Sequence, residues 1–189
     1  MESLGKLFGS PARLKVLRLF LFNEDSAFSL ADAALRTKVP KAAARKEIAL
    51  LAGAGILKKK AGKGGALYQA NKNFAHYEQL LVFLRSTTSV KDANIVSAFK
   101  RAGTLRAVVL SGIFTGVLEP KVDVLIVADR LDERALKSAI HSIEAELGRE
   151  LRYASFATPD FRYRAGVYDR LIRDVMDYPH RTILDKIGL

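Results

Sequence analysis

Cysteine is absent from this 189-residue chain, and histidine occurs only three times. The first absence removes disulfide scaffolds, thiolate zinc sites and cysteine nucleophiles together, and the second leaves too few imidazoles for a histidine-based metal site. No window approaches the roughly 18 consecutive apolar residues of a membrane span. The N-terminus also lacks a signal peptide's apolar run and small-residue cleavage site. These absences predict a cytoplasmic protein that does not engage a membrane, with no metal site and no cofactor. What is present is a 49% hydrophobic content, enough to bury a core in one medium domain or two small ones, which excludes disorder as the main state.

Charge is unevenly distributed. The whole chain carries +11, but residues 1–86 hold 15 Lys+Arg against 6 Asp+Glu, net +9, while residues 87–189 hold 16 against 14, net +2. A localised basic excess points to a polyanionic partner, because cations that neutralise phosphates also release condensed counterions. Nucleic acid fits better than an acidic membrane surface, since neither a basic amphipathic helix nor a lipidation signal is evident.

The first half reads as three helices and a hairpin. Ser10-Pro11 supplies a capping hydroxyl and a proline suited to the first helical position, so a helix should run to about Phe22. Leu14, Leu17 and Leu21 form its inner face, with Arg13, Lys15 and Arg18 on the wetter side. Ser29 and Asp32 have capping-box spacing and open a short helix ending near Thr37. After a three-residue turn, a third helix from Pro40 to about Ala54 turns Ala44, Ile48 and Leu51 inward, and Gly55 stops it. Its cations Lys41, Arg45 and Lys46 are expected on the outer side, giving a helix-turn-helix whose second member enters a major groove. Two extended runs, 56–60 and 66–70, then flank a glycine-rich turn at 61–65. This hairpin would place Lys58, Lys59, Lys60 and Lys63 beside a phosphate backbone.

The run 10–71, and above all residues 41–59, resembles the winged-helix domain of ArsR-type transcriptional regulators, in which a recognition helix ends in a glycine and a hydrophobic pair starts the wing. The resemblance implies binding to double-stranded DNA. Metal sensing by that family uses cysteine or histidine ligands, so with no cysteine in the chain it is not carried over.

The second half alternates strand and helix. A connector helix with Tyr77, Leu80, Leu81 and Leu84 on one face leads to a boundary at 86–89. A further helix through Ile95, Val96 and Phe99 precedes apolar strands at 105–110 and 122–128, which read as central in a sheet. An amphipathic helix over 132–147, a strand over 151–156 and one helical tail from Thr158 through Val175 complete the order. The expected class is α+β: a winged helix-turn-helix over 1–86, then a small α/β domain over 87–189.

Residues 108–116 with 122–127 resemble the minimal nucleotidyltransferase family, relatives of the DNA polymerase beta catalytic domain. There a strand ends in Gly-Ser, a second glycine follows, and the next strand carries two aspartates at alternate positions that hold Mg²⁺. Here the pair is inverted as Ser111-Gly112, Gly116 remains, Asp123 matches the first carboxylate, Leu125 stands at the second, and residues 151–156 offer no acid. The resemblance thus implies the fold and argues against the reaction, with no catalytic residue to assign. Ser111 has no histidine and acid nearby in sequence and is a poor nucleophile. Arg162, Arg164, Arg170 and Arg173 cluster with Phe161, Tyr163 and Tyr168, but interleaved aspartates favour an ion-paired helix face.

The sequence reading is therefore a transcriptional regulator that binds duplex DNA as a homodimer, its second domain a silent assembly or effector module open to a protein partner. Two rivals stand beside it: an active Mg-dependent nucleotidyltransferase, and an antitoxin-like interaction protein.

Overall fold

A computed structural model describes residues 2–62, 64–117 and 120–189. The chain is mixed α+β with two separate sheets. It divides into two compact units, residues 1–90 with 141–149 and residues 91–140 with 150–189.

In the first unit, α1 (Glu2–Leu7) precedes α2 (Pro11–Phe22), whose N-cap Ser10 accepts a hydrogen bond from the Arg13 amide. A two-residue strand, β1 (Phe28–Ser29), leads into α3 (Leu30–Thr37), and the Ser29–Asp32 capping box is complete in both directions. Next come α4 (Lys41–Gly53), β2 (Leu57–Gly62), β3 (Gly65–Ala70) and α5 (Tyr77–Thr87). The core is formed by Leu14, Leu17, Phe20 and Leu21 of α2 with Ile48 and Leu51 of α4, Leu57, Ala70, and Tyr77, Leu81 and Leu84 of α5. The three strands pair antiparallel in the order β1-β3-β2, so β2 is an edge.

The hairpin departs from the expected five-residue turn. Pairing runs on to Gly62 opposite Gly65, so Ala61, Gly62 and Gly65 belong to the strands rather than to the turn. Lys63 lies outside the described residues. A second departure is Arg18, expected on the wet side of α2 but fully buried. Its Nη1 donates to the Glu146 carbonyl at 3.0 Å, within the segment 141–149 that groups with this unit. Burial lowers the Arg18 pKa, and the nearby Glu146 charge opposes that shift.

The second unit contains α6 (Asp92–Phe99), β4 (Thr104–Leu110), β5 (Val124–Asp129), α7 (Glu133–Leu147, through Ile140), β6 (Tyr153–Phe156), α8 (Thr158–Gly166), α9 (Arg170–Met176) and β7 (Arg181–Asp185). The sheet order is β6-β5-β4-β7, with β5 and β6 parallel and the other pairs antiparallel. Strands β4 and β5 are central, in keeping with the apolar runs 107–110 and 124–128. Alternate residues Ala107, Val109, Leu125 and Val127 pack with Phe161 of α8 and Ile172 and Val175 of α9. The opposite-facing Val108, Leu110, Val124 and Ile126 are equally buried.

The single helical tail expected after Thr158 is two helices. Tyr168 takes a left-handed φ of 55°, and Asp169 caps α9 by accepting from the amides of Leu171 and Ile172. The chain then returns as β7, a strand absent from the sequence reading. No described helix is long and apolar enough to cross a membrane.

Candidate nucleic-acid interface and the Asp123 site

The first candidate site is built on α4. Its sequence, with five alanines in thirteen residues, has high intrinsic helicity, and its end is fixed by local hydrogen bonding. Gly55 sits at φ +76°, its amide donating to the Ala52 carbonyl and the Ile56 amide to the Leu51 carbonyl, a glycine-terminated Schellman stop. The start follows from α3, whose cap Lys38 is left-handed at φ 51° and turns the chain through Val39 and Pro40.

Lys41, Arg45 and Lys46 are exposed, whereas Ala44, Glu47, Ile48 and Leu51 are buried. Glu47 is a positioning residue absent from the sequence-based expectations. Ser10 Oγ donates to its Oε1 at 2.8 Å, and Arg13 Nε donates to its Oε2 at 2.7 Å. Arg13 Nη1 also donates to the Phe8 carbonyl. Burial alone would raise the Glu47 pKa, but the hydrogen bonds from Arg13 and Ser10 together outweigh it and hold the carboxyl below its ordinary value. This buried acid therefore fixes the rotation of α4 on the N-terminus of α2. The readable signal is an acid three residues after Ala44 and one before Ile48, within the apolar stripe.

On the hairpin, Lys58, Lys59 and Lys60 are all exposed on the edge strand. They do not share a face. Pleating puts Lys59, opposite Tyr68, on the side of buried Leu57, and it puts Lys58 and Lys60, opposite Gln69 and Leu67, on the other. Among the described residues, none of Lys41, Arg45, Lys46, Lys58, Lys59 and Lys60 has a salt-bridge partner, whereas Lys15 pairs with Glu146 and Lys72 with Asp25. The described cations of this unit without a salt bridge include a concentration on α4 and β2.

The second candidate site brings together Ser111, Gly112 and Asp123. Asp123 is 1% exposed and its carboxylate is fully subscribed. Oδ1 accepts from the Ile113 amide at 3.1 Å and Arg152 Nη2 at 2.9 Å, and Oδ2 accepts from the Arg152 amide at 2.9 Å and Arg152 Nε at 3.1 Å. Two oxygens with four lone-pair positions thus hold four donors. Asp123 in turn raises the Arg152 pKa by its hydrogen bonds and charge. Gly112, at φ +53°, lies so close that a Cβ there would collide with Asp123 Oδ1. Ser111 is buried, its Oγ donating to the Val122 carbonyl at 2.6 Å. Gly116 is exposed at φ +78°, and a Cβ there would meet no described atom within 4 Å.

A magnesium ion does not fit these residues. Asp123 would have to release a guanidinium to bind one, and Leu125, two positions along the same face, is packed with Phe161, Ile172 and Val175. Among the described residues, no group of three or more His, Asp or Glu is placed to hold a metal. The arginines of α8 and α9 are partly neutralised, Arg164 by Asp169 at 2.9 Å and Arg173 by Asp177 at 3.3 Å. Tyr163, Val167 and Tyr168 stand out from that surface.

No protein-family model, characterised protein or solved structure matches this chain.

Proposed function

We propose that the first unit is a winged helix-turn-helix that binds duplex DNA, with α3 and α4 as the helix-turn-helix, α4 in the major groove and the β2–β3 hairpin as the wing. The observation that carries this reading is the set of salt-bridge-free cations on the exposed surface of α4 and the adjoining edge strand, on a helix whose rotation Glu47 fixes. Lys41, Arg45 and Lys46 face the groove, and Lys58 and Lys60 lie on the backbone as one pair, with Lys59 on the opposite face of the wing. One recognition helix reads few base pairs, so the regulator acts as a homodimer on a roughly two-fold site. Exposed Leu7, Val82 and Phe83 give the first unit apolar surface for a second copy.

In this reading the second unit is a nucleotidyltransferase-like scaffold without catalysis, because the acid that would hold Mg²⁺ instead holds Arg152. Its exposed Tyr163, Val167 and Tyr168 suit an assembly or protein-binding role, since aromatic residues are enriched in interface cores. The test is duplex binding by fluorescence anisotropy across salt concentrations. Each phosphate contact contributes a slope of about −0.9 in log K against log salt, so Lys58→Gln with Lys60→Gln should make the slope shallower by about two. Lys59→Gln should have a different, smaller effect. Binding that ignores all of these changes, and Arg45→Ala as well, would refute the assignment.

A further inference from the structure

The outer face of α4 carries few kinds of chemistry. Successive helical residues turn by about 100°. With Ala44, Glu47, Ile48 and Leu51 buried, the opposite side presents Ala42, Lys46, Ala49 and Gly53, flanked by Lys41 and Arg45 on one edge and Leu50 on the other. The helix contains no Asn, Gln, Ser, Thr or Asp, and its one acid, Glu47, is turned inward and bound to Ser10 and Arg13.

Base edges in the major groove demand particular partners. Adenine is read by a side-chain amide, cytosine's amino group by an acceptor, guanine's O6 and N7 by an arginine or a lysine, and thymine's methyl by a small apolar side chain. The first two partners are missing from the exposed face of α4, and the last two are present. We infer that α4 reads guanine through Arg45 and thymine through Ala42 and Ala49, and that it makes no direct contact specific for adenine or cytosine. This rests on the duplex-DNA reading above and goes beyond it by naming the bases.

Two features support the assignment of Arg45 over its neighbours. The alanines at 42 and 49 add nothing beyond Cβ, so the helix backbone can approach the groove floor closely enough for a guanidinium to lie in the plane of a base edge. Lys46 presents a compact ammonium with no planar fork, which suits a phosphate or a single acceptor. Glu47 blocks a compensating rotation of the helix, because turning α4 to present another side would break the Arg13 and Ser10 bonds and expose Ile48 and Leu51.

The experiment uses the full chain. Duplexes are selected from a random-sequence pool at near-physiological salt, and the recovered site is remade with 7-deazaguanine, which lacks only the N7 acceptor, or with deoxyuridine, which lacks only the thymine methyl. Both keep normal base pairing. The expected result is a guanine in each half-site where 7-deazaguanine weakens binding about ten-fold or more. Arg45→Ala should bind the normal and modified duplexes alike, and deoxyuridine should cost a few-fold beside that guanine. Circular dichroism confirms that Arg45→Ala, an exposed change, is folded. Sites centred on adenine, sites without base preference, or a 7-deazaguanine penalty that persists in Arg45→Ala would overturn the inference while duplex binding itself stands. Retention of no duplex at any salt would remove the DNA reading and this inference together.

Discussion

Replacing Arg152 by alanine tests whether Asp123 is a structural anchor or a metal ligand. Asp123 is 1% exposed, and two of its four hydrogen bonds come from the Arg152 guanidinium, which is about half exposed. Arg152→Ala leaves a buried carboxylate with two backbone amides and no counter-charge. Removing one partner of a fully buried ion pair costs about 3–5 kcal/mol, and water reaching the exposed side of Arg152 reduces this to about 2–3 kcal/mol. Asp123→Asn keeps the shape but turns an amide NH₂ toward N–H donors, leaving one side of the site unmatched at about 2–3 kcal/mol. The double variant should lose less than the sum, because the second change removes the charge that the first strands. Hydrogen–deuterium exchange at the β5 amides reports this unit alone, and urea titration should show its midpoint falling by about 1 M in each single variant. A metal ligand behaves otherwise: neutralising it leaves the metal-free protein unchanged or more stable, and Mg²⁺ protects the wild type but not the variant. That pattern would refute the anchor.

Two further outcomes follow from the network geometry. Glu47→Ala leaves Arg13 and Ser10 without their shared acceptor at the junction of α2 and α4, and should destabilise the first unit by about 2–3 kcal/mol, read as a lower thermal midpoint. An unchanged midpoint would show that packing of Ile48 and Leu51 alone orients α4. The Asp129 carboxyl is drawn down to about 2 by hydrogen bonds from Arg106, foremost, and from Thr158 at the start of α8. A depressed carboxyl pKa contributes stability that is present above the ordinary value near 4 and is lost as pH falls toward 2. Asp129→Asn should therefore flatten the acid limb of stability over that window, and an acid limb identical to the wild type's would count against the Arg106 contact.

Local hydrogen-bonding signals were the most legible part of the fold. Ser10, the Ser29–Asp32 pair and Gly55 each act on amides or carbonyls within a few residues, so their sequence spacing already contains the geometry. What escaped depends on partners distant in sequence. Strand β7 has five residues and no clear alternation, and it is a strand because β4 offers it an open edge. The break at Tyr168 lacks the glycine that usually marks a left-handed residue, though Asp169 beside it was readable as a helix cap. Arg18 looked like a surface cation because periodicity registers one element at a time, and its cover is a segment more than a hundred residues away.

The same distinction governs the candidate sites. The α4 cations were legible because exposure on a helix follows from the positions of its buried residues. The division of the hairpin lysines into Lys58 with Lys60 against Lys59 was legible too, since alternation is a property of any strand, yet the three read from sequence as one basic run. Asp123 shows how a residue singled out by a motif takes its chemistry from its surroundings. The role of that acid is decided by the neighbouring strand: β6 runs parallel to β5 with Val124 opposite Tyr153, which brings Arg152 abreast of Asp123. A parallel register inferred from the strand–helix–strand order would have placed that arginine beside the acid. An acid already bound by a guanidinium and two amides orders the loop and the sheet edge, and only removal of that arginine would free it to hold a cation.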